Sequence, residues 1–249
     1  QQQYFFDDTA ESEPLYWLNI DISGLKKISF EKKTHLYQNG YCVMQNNQSW
    51  AMLRFPLYKF RPAHNDVLHF DLWHKGKNLL MDSGSFSYNP GKNYTGPDLK
   101  SVHAHNTVSF DGKEQMPRLS RFLLAKWIQP SFVSDIKQNE WSAAYTDYRG
   151  NSHTRKVKWQ NDEWVITDEC KGPAASVTIN FNFDDNTACI DKEKAVVNFS
   201  WGSLSFPKDA TVTIEEHFIS KYYWQKQPVK KLTIQTTNNS VSVVRISIR

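Results

Sequence analysis

Apolar and polar residues alternate along most of this chain in short runs of strand length, and turn dipeptides separate the runs. LYWLNIDI (15–22) is the first such run, HLYQ and YCVM flank Asn39-Gly40, and SWAMLRF (49–55) stops at Pro56. Asn-Gly favours the primed turn whose twist matches two antiparallel strands, so a hairpin is predicted around it. VLHFDLW (67–73) sets Leu68, Phe70 and Leu72 against Val67, His69, Asp71 and Trp73, and Lys75-Gly76 turns it into NLLMD (78–82). Residues 84–104 hold Gly84, Pro90, Gly91, Gly96 and Pro97, too many breakers for regular structure. Their Tyr, Phe and Asn content predicts an ordered surface loop.

HNTVSF (105–110) turns at Asp111-Gly112. RFLLAKWIQP (121–130), SFVSDI, WSAAYTDY, TRKVKWQ, EWVITDEC, SVTINFNF, AVVNFSW, TVTIEEHF, YYWQK, VKKLTIQT and SVSVVRISI follow at near-regular spacing. About twenty short strands and no helical period predict an all-β fold. The expected architecture is a large antiparallel β-sandwich of two or more stacked sheets, because a single sheet that wide would curl or split. No internal repeat is visible, which argues against a propeller or solenoid. Residues 1–14 are polar and acidic up to Pro14 and read as a linker or lead-in, with the sandwich domain over 15–249.

Composition narrows function mainly by exclusion. The chain has 249 residues, 14% of them aromatic, and a formal charge of +4 that is scattered along its length. No nucleic-acid motif or arginine-rich arm accompanies that charge, so nucleic acid is not an expected partner. The three cysteines, Cys42, Cys170 and Cys189, lack CxxC spacing, which excludes a zinc ribbon and a dense disulfide framework. Buried free thiols are the expected state of Cys170 and Cys189. No apolar run approaches the roughly 20 residues of a membrane-spanning helix. The start QQQYFFDD lacks the charged and apolar regions of a targeting signal, and a first residue other than Met leads us to expect a processed or excised piece, so this says little about the parent protein.

The chemistry is concentrated between Tyr58 and Gly112, where five of the eight histidines lie (His64, His69, His74, His103, His105) with Asp66, Asp71 and Asp82. His64, Asp82 and His105 are the types that hold a divalent cation, imidazole and carboxylate together suiting zinc, with calcium as the alternative. A tight Lys75-Gly76 hairpin puts Asp82 almost opposite His69. Reaching His64 then requires the chain at 61–65 to bend back, which Pro62 favours. A hydrogen-bonded polar cluster without a metal is the plain alternative.

From Arg61 to Trp127 the ordered pattern RPAHNDVLHFDLW, MDSGSFSYN, AHNTVSFDGKEQM, then RF and a Trp, resembles the C-terminal β-sandwich domain of the heparinase II/III family of polysaccharide lyases. That resemblance implies a metal at His64, Asp82 and His105, with Asp66 orienting a ligand from behind. It also implies an acidic polysaccharide substrate, a preceding helical toroid domain outside this chain, and a periplasmic or secreted parent. One departure stands out: the family's catalytic histidine, two positions before the first metal ligand, is Pro62 here. Elimination from a uronic acid needs its carboxylate neutralised, a base for the C5 proton and an acid for the leaving oxygen. Arg61, His103 and Tyr88 are the types available, His103 being placed on the same strand face as His105. Arg61 is also a candidate for a structural salt bridge, and Tyr88 for a wall of the cleft. Trp73, Tyr94 and Trp127 are candidates for stacking on sugar rings or for the core. Gln115, Arg118 and Arg121 are candidates for lining the cleft or bracing the sandwich. The leading expectation is the metal-containing half of a lyase that is inactive alone; the runner-up is a non-catalytic carbohydrate-binding or structural module.

Overall fold

The computed structural model describes residues 35–249 other than 39, 47, 92, 93 and 135–138, together with position 19. The expected lead-in (1–14) and, apart from position 19, the expected strand at 15–22 lie outside the described residues. Thr34–Arg249 form one compact unit. Its chain begins with β1 (His35–Gln38), β2 (Tyr41–Gln45), β3 (Ser49–Arg54), β4 (Phe70–His74) and β5 (Lys77–Leu80), a five-stranded antiparallel meander in that order. The hairpin expected between β1 and β2 is present, with Gln38 opposite Tyr41 and Gly40 at φ +86°.

A single 3-10 turn (Val102–Ala104) precedes β6 (Val108–Phe110), β7 (Arg118–Ser120), β8 (Leu123–Leu124) and β9 (Pro130–Val133). There follow β10 (Glu140–Thr146), β11 (Ser152–Gln160), β12 (Glu163–Lys171), β13 (Ser176–Phe183), β14 (Cys189–Asp191), β15 (Val196–Phe199) and β16 (Gly202–Ser205). The last three are β17 (Thr211–Ile219), β18 (Gln227–Thr237) and β19 (Ser240–Ile248). An eight-stranded sheet runs β14-β15-β16-β19-β12-β11-β10-β9, a four-stranded one runs β17-β18-β13-β6, and β7 pairs only with β8. Every pairing between named strands is antiparallel, and the only helical element among the described residues is the 3-10 turn, so the all-β sandwich is what forms.

Alternation dictates which faces meet. β3 buries Ser49, Ala51 and Leu53, and β12 buries Trp164 and Ile166, giving two apolar faces that close on each other. Phe70 meets Trp164 edge-on at 6.3 Å, Phe55 meets Trp141 at 5.6 Å, and the Trp164 indole donates to Ser49 Oγ at 3.0 Å. On the other flank Phe183 of β13 meets Phe199 of β15 at 4.9 Å. Each fully buried large apolar side chain of this kind contributes about 1.5–3 kcal/mol over its exposed state.

Several expectations need correction. Val67–His69 are not strand: Leu68 sits at φ +58°, because its carbonyl and that of Val67 turn toward polar partners from elsewhere in the chain. RFLLAKWIQP does not form one long strand; Leu123–Leu124 form the short β8, Lys126 at φ +53° breaks the run, and its last residue, Pro130, opens β9. YYWQK is an exposed turn with Trp224 at φ +62°, its aromatics belonging to the surface. Cys42 and Cys170 are buried free thiols, whereas Cys189 is free but exposed, since β14 is the outermost strand of the eight-stranded sheet.

Candidate metal and glycan site

Three segments distant in sequence converge at one end of the first sheet. The 64–71 segment is bent and anchored from outside: Gln115 receives the Val67 N–H at 2.9 Å and donates to the Val67 carbonyl at 3.2 Å, and Arg155 Nη1 donates to the Leu68 carbonyl at 2.6 Å. The second segment follows β5, where the Asp82 N–H donates to Asp71 Oδ2 at 3.2 Å and the Gly84 N–H to Asp82 Oδ1 at 2.6 Å. The third follows the 3-10 turn and carries His105 and Asn106. Asn106 joins all three: its backbone N–H donates to His69 Nδ1 at 3.0 Å, and its side-chain amide donates to the carbonyls of Phe70 at 2.9 Å and Met81 at 3.2 Å.

These anchors assemble a chain of four polar groups. Ser85 Oγ lies 3.0 Å from His64 Nε2, His64 Nδ1 3.2 Å from His105 Nε2, and His105 Nδ1 2.8 Å from Asp82 Oδ2. Burial, then the adjacent His105, pushes His64 down to about 4, so it is neutral near pH 7. Burial works against charge on His105 too, but the Asp82 carboxylate outweighs it and raises His105 above the ordinary histidine value. Burial would lift Asp82; the His105 charge and hydrogen bond, His69 and the Gly84 N–H hold it below the usual carboxylate range. A charged His105 then donates from both nitrogens, to Asp82 and to a neutral His64.

The residue types fit a metal ion. Two imidazole nitrogens on a tetrahedral zinc lie roughly 3.3 Å apart, which follows from ligand distances of ~2.0–2.1 Å. The His64–His105 approach of 3.2 Å matches that spacing. His105, however, presents opposite nitrogens to His64 and to Asp82, so His64, Asp82 and His105 meet without surrounding one point. The group whose ligand atoms all lie within 4.8 Å of one another is His69, Asp82 and His105. His69 Nε2 is buried without a hydrogen-bond partner, 3.6 Å from Asp82 Oδ2. Its Nδ1 already accepts the Asn106 N–H, so neutral His69 carries its proton on Nε2 and faces the carboxylates as a donor. That tautomer favours His64 over His69 as the second imidazole ligand.

The other candidates fall in different places. Asp66 pairs with Arg54 at 2.9 Å and has no hydrogen bond to either histidine of the cluster. His103 sits in the 3-10 turn, half-buried, with Nε2 on the Gly112 carbonyl at 2.9 Å, so it does not share a strand face with His105. Gln115 is 2% exposed, and besides Val67 its amide reaches the Val108 carbonyl and Tyr145 Oη, each at 3.2 Å; it braces the sandwich. Arg61 is exposed and makes no ion pair among the described residues. Trp73 stacks on Trp50 at 5.2 Å and lines a cleft of about 520 Å³ that Asp71 and Asp82 also line. Tyr88 is exposed, 5.7 Å from Tyr223, in a second cleft that begins at Ser85. Trp127 is partly exposed and ties its indole to the Leu124 carbonyl at 2.7 Å.

The family described as heparinase II/III-like, C-terminal, matches residues 31–247. The chain belongs to that family. No curated protein matches it. Among solved structures, a heparinase III, the BT4657 gene product, has 19% identity and a TM-score of 0.69 over 89% of this chain and 37% of its own. The heparan sulfate lyase HepC from Pedobacter heparinus has 18% identity and a TM-score of 0.68 over 90% of this chain and 38% of its own. At these identities the likeness is one of fold, and the chain spans little more than a third of the length of either structure. In this heparinase II/III-like domain Pro62, two residues before His64, is buried and has no proton to exchange, while His69, Asn106 and Arg155 complete the scaffold. The hairpin register already pointed to His69. Nothing local marked Asn106 or Arg155.

Proposed function

We propose that this chain is the metal-bearing β-sandwich part of a polysaccharide lyase that cleaves an acidic, uronate-containing polymer by β-elimination, acting with a helical domain outside the chain and located in the periplasm or outside the cell. What supports this reading is the Ser85–His64–His105–Asp82 chain set in a heparinase II/III-like sandwich and adjoining two clefts, one with Asp82 and Trp73, the other with Ser85, Tyr88 and Lys100. His64 and His105 hold a divalent cation, zinc by donor type, and Asp82 fixes the His105 ring from its far nitrogen. The ion supplies positive charge and ties the separate segments together.

In the elimination a base takes the C5 proton, the C4–O bond breaks as the C4–C5 double bond forms, and the leaving oxygen takes a proton. This chain's share is positioning. Pro62 cannot act as base, and His103 holds its Nε2 on a backbone carbonyl. Proton transfer falls to the partner domain, and the sandwich binds the acidic chain and neutralises its charge. Pro62 also favours a second reading, a carbohydrate-binding module without catalysis. The test is to incubate the full-length protein with heparan sulfate, chondroitin sulfate and alginate while following the ultraviolet absorbance of the unsaturated uronate. Rising absorbance with any of them supports the lyase; silence with all, together with retained polymer binding, overturns it in favour of the binding module.

A further inference from the structure

Beside His64, the 85–100 loop together with Arg118 and Arg121 encloses a cleft of about 350 Å³. Lys100 is 7% exposed, with its ammonium over the rings of Tyr88 at 5.4 Å and Phe122 at 5.7 Å. No carboxylate pairs with it among the described residues. Asp98, the acidic group acting on it, is engaged by Arg118 at 3.1 Å. Among the described residues Arg121 donates only to the neutral Asn89 side-chain carbonyl oxygen, at 2.5 Å. Burial, then Arg118, holds Lys100 below the ordinary lysine value, with Arg121 adding to the repulsion. Three cations thus face one carboxylate around a cleft with aromatic walls, an arrangement that an incoming anion relieves.

We propose that this cleft is a subsite for one anionic substituent, carboxylate or sulfate, of a glycan chain, with Lys100 and Arg121 carrying its charge and Arg118 completing the rim. The proposal rests on the reading of the substrate as an acidic polysaccharide and assigns where one of its charges is held. The aromatic rim suits a sugar polymer: Tyr88 and Tyr223 are both more than half exposed with ring centres 5.7 Å apart, and Tyr faces stack on the apolar faces of pyranose rings. Its position also has a consequence. Ser85 lines the cleft and touches His64 at 3.0 Å, so a substituent seated on Lys100 sets a neighbouring sugar unit against the histidine cluster.

The test is equilibrium binding of a heparan sulfate oligosaccharide, its desulfated form and its carboxyl-reduced form to the wild-type chain and to Lys100→Gln, Arg121→Gln and Lys194→Gln. Lys194 is exposed in the turn between the edge strand β14 and β15 and serves as the control for overall charge. Removing one cation that directly meets the anion should weaken binding about tenfold and flatten the salt dependence, as loss of a partly exposed charge pair does. Lys194→Gln should bind as wild type. Loss of affinity on desulfation assigns a sulfate, and loss on carboxyl reduction assigns a carboxylate. Arg121 is exposed, so its variant tests the idea even if Lys100→Gln does not fold. Unchanged affinity in Arg121→Gln and in any folded Lys100→Gln, equal losses in all three variants, or indifference to both chemical modifications overturns the subsite. Failure of the lyase reading shows separately, as binding by the full-length protein without elimination.

Discussion

The Arg155 guanidinium forks onto the Asp168 carboxylate, Nε to Oδ1 at 2.7 Å and Nη2 to Oδ2 at 3.0 Å, with neither side chain more than 1% exposed. Its remaining nitrogen reaches across to the first sheet and donates to the carbonyls of Leu68 and Asn106 at 2.6 and 2.7 Å. One buried cation therefore fixes the bend before β4 and the residue after His105. Burial would lift the Asp168 carboxyl, but Arg155 and the His153 hydrogen bond hold it below the usual carboxylate range. Arg155→Met leaves the buried Asp168 carboxylate held by His153 alone and should cost about 3–5 kcal/mol. Arg155→Lys keeps the charge but not the fork, and should cost nearly as much. Urea denaturation checks both; a lysine variant within experimental error of wild type would refute the role of the fork.

Gly84 makes a second, smaller test of how the site is held. It lies at φ +69°, bridges Ser220 and donates its N–H to Asp82, and a Cβ there would collide with the Ser220 carbonyl. Gly76 has a similar φ of +78° but open space around it. Gly76→Ala should therefore cost only the backbone term, about 1 kcal/mol, and Gly84→Ala distinctly more, on the order of 2–3 kcal/mol. Equal losses in thermal melts of the two variants would show that the close approach to Ser220 is not a constraint.

Stability should fall with acidification in a window set partly by His217. Burial, then Lys231, lowers its pKa from 6.5 to about 4, while Glu215 pulls the other way. Below pH 6.5 the unfolded chain takes up a proton that the native state refuses until near pH 4, so this contribution is complete above 6.5 and is lost as pH falls. The full loss is at most about 3 kcal/mol. His105, with its raised pKa, contributes in the opposite sense, its stabilisation being greatest at low pH and lost as pH rises through the raised value. His217→Gln keeps an N–H for Ser83 Oγ and removes one titration. The stability difference between wild type and His217→Gln should shift against wild type between pH 7.5 and pH 4.5; a pH-independent difference would contradict it.

Much of the fold is legible where local chemistry decides it. Asn39-Gly40 and Lys75-Gly76 mark hairpins by backbone preference alone, and Asp82 lies 3.6 Å from His69 even though a bulge between Leu72 and Trp73 shifts the register expected from the second turn. What escapes is whatever depends on partners far along the chain. The bend at Val67–His69 reads as continuous strand because its hydropathy alternates, yet Gln115 and Arg155 pull its carbonyls out of the ladder from 48 and 87 residues away. His103 reads as a strand residue because nothing nearby marks a 3-10 turn; Glu114 holds that turn by accepting from Ser101 Oγ and the Val102 N–H. Asn106 and Arg155 look like ordinary polar positions of alternating strands, and their burial appears only when three sheets close around them.

The candidate site depends on whether the His64–His105 pair, backed by Asp82, holds an ion, and this chain alone can be tested for it. The measurement is metal content per chain after equilibration with zinc, coupled to thermal melting with and without chelator, for wild type, His64→Ala, His105→Ala and Asp82→Asn. The geometry predicts one equivalent in wild type and none in either histidine variant. Asp82→Asn alters the contacts to His105 Nδ1, the Gly84 N–H and His69 but leaves His64 and His105 in place, so it should keep the ion but bind it about 10- to 100-fold more weakly. Chelator should then lower the wild-type melting point, the ion adding about 3 kcal/mol at a hundredfold excess over its dissociation constant. Metal-free wild type at saturating zinc, with a melting curve that chelator leaves unchanged, would contradict the account and reduce Ser85, His64, His105 and Asp82 to a hydrogen-bonded cluster.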